Sequence, residues 1–174
     1  MRKRFASRFG YACVIGSLML GASAMVAAQE KDKGESREFV ALKNRRVVPK
    51  GSDIDRTVNL DGLLSKKDAD GWSTSKAAVV EGYVIQLERE EDGDQHLVLA
   101  GNDGETDTTK WVICEVTPAW SRKSASLSAA SLKKLRGKKV RVTGWLYYEP
   151  DAEATDPRGT RWELHPVTAI TVLK

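Results

Sequence analysis

The sequence predicts a mainly β domain: a five-stranded Greek-key barrel with one short helix between its third and fourth strands. Three observations predict it. From Ala77 onward, five segments are enriched in Val, Ile, Leu and aromatic residues. Clusters of Asp, Asn, Gly and Pro separate several of them. Between the third and fourth, Leu127 to Gly137 carries helix start and stop signals.

What precedes the barrel is of a different kind. Residues 1–28 open with Arg2, Lys3, Arg4 and Arg8, continue in an uncharged run from Tyr11 to Val26, and end in Val26-Ala27-Ala28. A basic start, a short apolar stretch and small residues at the exit are the parts of a cleavable secretory signal. The run is shorter than the roughly 20 apolar residues of a membrane span. Cys13 stands at its start, not at its exit, which argues against a lipid anchor. The expected location is therefore the periplasm or the extracellular space, with no membrane span once the signal is removed. Residues 29–52 are dominated by Lys, Glu, Arg and Asp and read as a flexible charged leader. The leader's apolar cluster, Phe39-Val40-Ala41-Leu42, is its candidate docking segment. Residues 53–76, with Leu60, Leu63, Leu64 and Trp72 among turn formers, read as an irregular extension packed on the barrel of residues 77–174.

Within the barrel, the first strand is Ala77–Leu87, with Gly82 allowing it to bend and serve both halves. Gln95–Ala100 and Lys110–Val116 follow. Ser128 is placed to cap a helix whose Leu127 and Leu132 form a hydrophobic staple. Lys133, Lys134 and Arg136 fall in its last turn, and Gly137 lies beyond it. Lys139–Tyr148 alternates cleanly, and Thr160–Leu173 closes the set with an interruption at Pro166. Three strands, a helix and two strands is the OB order.

Charge narrows the function. The chain has 28 Lys and Arg against 24 Asp and Glu, and the signal holds four of the bases and no acid. Without it the two signs balance, so the basic pI of 9.1 is a property of the targeting segment. Cys114 is then the lone thiol, which leaves no internal disulfide. Its strand neighbours Val112 and Val116 predict a buried packing residue.

From Asp53 to the end the chain resembles a family of exported bacterial proteins with an OB-like domain and no established activity. The residues that carry the resemblance are Trp72, Val80-Glu81-Gly82-Tyr83-Val84, His96-Leu97-Val98-Leu99, Glu115-Val116-Thr117-Pro118, Val142-Thr143-Gly144-Trp145-Leu146 and the closing block Trp162-Glu163-Leu164-His165-Pro166-Val167-Thr168. The resemblance implies the fold and the compartment and brings no catalytic residue. Relatives carry a longer first loop with Cys and His, whereas Glu88–Asp94 is short here, so a ligand built on that loop would be missing.

Four constellations remain. Exported OB barrels can bind oligosaccharides or peptides on aromatic side chains. Of the five tryptophans, Trp111, Trp145 and Trp162 are the candidate ligand contacts. His96, Glu115, Glu163 and His165 offer imidazoles and carboxylates fit for a metal or for acid–base work. That makes a metal-dependent hydrolase using His96, Glu163 and His165 the rival to a binding module. The basic run Lys133, Lys134, Arg136, Lys138, Lys139 and Arg141 could hold a single strand or another polyanion. The loops flanking the usual OB face argue against nucleic acid there: Glu88, Glu90, Glu91, Asp92, Asp94, Glu149, Asp151, Glu153 and Asp156 face only Arg89 and Arg158. Oxygen ligands from those acidic loops could hold calcium, although none of the loops has EF-hand spacing. The expectation is an exported, monomeric OB-like module, without a resident cofactor, for a protein or glycan partner.

Overall fold

A computed structural model describes residues 37–150 and 158–174. The expected signal segment, the first part of the leader and the acidic stretch from Asp151 to Pro157 lie outside the described residues. The elements are α1 (Arg37–Lys43), α2 (Leu60–Ser65), β1 (Ala77–Arg89), β2 (Gln95–Ala100), β3 (Val112–Val116), α3 (Pro118–Lys123), α4 (Ala129–Leu132), β4 (Lys139–Tyr148) and β5 (Trp162–Val172). The strands close a barrel in the order β1-β2-β3-β5-β4. Only β3 and β5 run parallel; the other neighbours are antiparallel. With the helices α3 and α4 between β3 and β4, this is the OB arrangement.

β1 serves both halves, as its glycine predicts. Ala77–Tyr83 pairs with β4 and Tyr83–Arg89 with β2. Gly82 sits at the changeover, where a Cβ would lie 2.9 Å from the Ala100 carbonyl oxygen. Val80, Val84, Leu97, Leu99, Val112, Cys114, Val142, Leu146 and Leu164 point inward as one apolar cluster. The extension joins that core through Val58, Leu60 and Leu63. Asn59 caps α2 by accepting from the Gly62 amide at 2.7 Å.

Three details differ from the expected elements. β3 starts at Val112, because Asp107 caps a 3₁₀ turn over Thr108–Lys110. Pro166 does not break the last strand. The His165–Pro166 peptide is cis, and β5 carries one extra residue against β4 between Val167 and Leu164. Gly144 makes room opposite, since a Cβ there would lie 2.9 Å from Leu164 Cβ. The third is α3, a six-residue helix with Pro118 at its start, too short to show a helical repeat. The helix after Ser128 forms as predicted at its start, where Ser128 accepts from the Ser131 amide. It is brief, passing into a 3₁₀ turn over Lys133–Leu135. Gly137 follows at φ +75°.

The polar leader from Arg37 onward lies along the outside of the barrel. Phe39 meets the Tyr147 ring edge-on at 6.2 Å, and Lys43 pairs with Glu149 at 2.8 Å. The indole nitrogens of Trp120 and Trp145 donate to the carbonyls of Arg45 and Val47, both at 2.9 Å. No helix among the described residues is long and apolar enough to cross a membrane.

Candidate functional site

Alternation decides where the polar residues of the closing block go. Trp162 and Leu164 enter the core, so Glu163 and His165 take the outer face of β5. β3 is the parallel neighbour, and its outer face presents Glu115. His96 on β2 stands directly opposite Glu115. The result is one cluster. His96 Nε2 lies 2.6 Å from Glu115 Oε1, and His165 Nδ1 lies 3.0 Å from Glu115 Oε2. The two imidazoles thus share a single carboxylate.

Two residues that sequence reasoning left in the loops complete the group. Asp94, just before β2, approaches His165 Nε2 at 3.4 Å. Arg158, from the β4–β5 connection, pairs with Glu163 Oε1. Their signals were slight: a carboxylate two residues before His96, and one base in an acidic loop. Glu163 is fully buried and His165 is 3% exposed.

Burial works against the charged imidazoles, yet their carboxylates outweigh it. For His96, the Glu115 hydrogen bond and the charges of Glu115, Glu163 and Glu90 raise the pKa to about 9. For His165, Glu115, Asp94 and Glu163 raise it to about 10. Burial and the neighbouring Glu163 charge push Glu115 upward. Glu163 is also penalised by burial, but His165 and Arg158 hold it well below the usual carboxylate range. The Cys114 thiol, fully buried, is pushed far up by desolvation, which removes it as a nucleophile at neutral pH.

The structure therefore brings His96, Glu163 and His165 together as the hydrolase reading requires. It also closes off Glu163 and His165, while His96 stays partly exposed. A hydrolytic group must reach a substrate atom at hydrogen-bond distance, and these carboxylates and the His165 ring face protein. The arrangement can hold charge or a small ion.

The tryptophans do not form an open stacking platform. Trp162 is fully buried and donates to the Asp68 carbonyl at 2.8 Å. Trp145 is 8% exposed, under the Arg45 guanidinium at 4.6 Å from its ring centroid. Trp111 is half-buried and donates to the Glu105 carbonyl.

Two cationic surfaces remain. In the basic run Lys133, Lys134, Arg136, Lys138 and Lys139 are exposed, while Arg141 forms a two-nitrogen contact with Glu81. This run starts β4 at the end opposite Glu149, about 30 Å along the strand. The second surface is a cavity of about 350 Å³ lined by Arg46, Ala119, Trp120, Arg122 and Lys123. Lys123 Nζ stands 4.4 Å from the Trp120 ring centroid. Arg46, Arg122 and Lys123 are exposed and have no acidic partner among the described residues.

No protein-family model matches the chain, and no curated protein matches it. Solved structures do. The Schizosaccharomyces pombe Stn1–Ten1 complex is similar over 68% of this chain and 78% of its own, at 11% identity and a TM-score of 0.43. An OBody bound to hen egg-white lysozyme is similar over 73% and 98%, at 15% identity and a TM-score of 0.45. The asparaginyl-tRNA synthetase of Entamoeba histolytica is similar over 62% and 22%, at 19% identity and a TM-score of 0.38.

Proposed function

We propose that the protein is an exported interaction module of the OB type, related to the exported bacterial family that its closing block resembles, and that it docks an acidic segment of a partner protein. The observation that carries this is the cavity between leader and α3, where Arg46, Arg122 and Lys123 converge around Trp120. Three cations with no acidic partner favour a ligand that brings carboxylates. Val47 and Val48, next in the chain to Arg46, are 61% and 55% exposed. An acidic peptide with apolar residues can use both features; a glycan uses only the first. The cavity is in the size range of specific ligand sites.

Fluorescence anisotropy tests the proposal with a labelled peptide of alternating Glu and Leu, against its Lys–Leu counterpart and an acidic oligosaccharide. The expected result is saturable binding of the acidic peptide alone, weakened about tenfold by Arg122→Glu and reduced by salt. Equal binding by the Arg122→Glu variant would refute the site, and preference for the oligosaccharide would move the ligand class to glycans. Export is tested by N-terminal sequencing of the protein recovered outside the cytoplasm, which should begin at Gln29.

A further inference from the structure

Asp94, Glu115 and His165 come from three separate elements: the β1–β2 connection, β3 and β5. One donor atom from each lies within 4.8 Å of the other two, and all three residues are buried. Their contacts are close without being a finished hydrogen-bond network. His165 Nδ1 and Nε2 are 3.0 and 3.4 Å from carboxylate oxygens, yet neither ring nitrogen has an aligned hydrogen bond. Glu163 Oε2, beside the same ring, also lacks one. Buried polar atoms in a folded interior are ordinarily satisfied, so a set left open around one imidazole calls for a ligand.

We infer that Asp94, Glu115 and His165 form a binding site for a divalent metal ion, with zinc the member of the class that fits. Mixed imidazole and carboxylate donors in small number suit zinc, whereas calcium takes six to eight oxygens. A four-coordinate ion with bonds of about 2.1 Å needs donors about 3.4 Å apart, the spacing of His165 Nε2 and Asp94 Oδ2. Ligation through Nε2 draws Glu115 Oε2 away from Nδ1, from which it stands 3.0 Å in the metal-free cluster, and leaves that nitrogen to Glu163 at 3.6 Å, an outer carboxylate that orients the ring. His96 does the same for Glu115 from the other oxygen. The ion would tie the β1–β2 connection to β3 and β5, at a place separate from the cavity proposed for the partner, and the inference stands whether or not that cavity binds.

The test is calorimetric titration of zinc chloride into the purified chain after chelator treatment, with a thermal melt alongside. Saturable one-to-one binding at micromolar affinity or tighter is expected, with a melting temperature raised by several degrees. Asp94→Asn and His165→Gln should each weaken binding about tenfold or more. Absence of one-to-one binding in the parent chain, or unchanged affinity in both variants, would overturn the site. Should a variant fail to fold, cobalt(II) in the parent chain decides: paramagnetically shifted His165 ring protons support the site, and unshifted ones remove it.

Discussion

Replacing Arg158 with Met removes one member of a buried ion pair and leaves its volume. In the folded protein the Arg158 and Glu163 side chains are 7% and 1% exposed. Breaking such a pair from one side typically costs about 3–5 kcal/mol, because the remaining charge stays desolvated. His165 partly compensates, since its Nδ1 is 3.6 Å from the second Glu163 oxygen. That places the expected loss near the lower end, about 3 kcal/mol, or roughly 10 °C in melting temperature for a domain of this size. Urea denaturation followed by tryptophan fluorescence measures it. Adding Glu163→Gln should recover about 1–2 kcal/mol, since the orphaned charge disappears with its partner. A loss below about 1 kcal/mol for Arg158→Met, or no recovery in the double variant, would refute the view that the cluster is an electrostatically coupled unit.

Two further outcomes follow from the same geometry. The folded pKa values of His96 and His165, about 9 and 10, lie above the unfolded value near 6.5. Their stabilisation is therefore complete below about pH 6.5 and lost as pH rises through 9 and 10. Urea midpoints of the metal-free protein should fall steadily from pH 7 to 10, and a flat or rising profile would contradict the assignment. Gly144→Ala should cost about 1–3 kcal/mol, because its Cβ would press on Leu164 Cβ at 2.9 Å inside the barrel. Gly51→Ala, where a Cβ meets nothing within 4 Å, is the control and should be close to neutral in thermal melts.

The barrel was legible because its strands carry their own signals. β2 and β4 begin and end where composition and turn residues place them, and Gly82 marks the bend of β1. The facing of the tryptophans was not legible. Alternation reports facing only when one side of a sheet meets solvent, and much of β3 and β5 is buried on both sides. Trp145 is buried by Arg45 and Val47 of the leader, which follow α1 in a charged stretch with no helix or strand periodicity. The cluster was half legible. Glu163 and His165 share a face by spacing alone, but their meeting with Glu115 depends on β3 lying beside β5. Asp94 and Arg158 sit in connections, whose positions follow from topology and not from local pattern. The cavity at Arg46 and Arg122 joins residues 76 positions apart in the chain, with no motif linking them.

The most direct measurement is an amide and indole NMR map of the protein titrated with the Glu–Leu peptide. The proposed docking site predicts shifts confined to Arg45–Val48, Ala119–Lys123 and the Trp120 indole. Shifts concentrated on Lys133–Arg141, or none at saturating peptide, would contradict it.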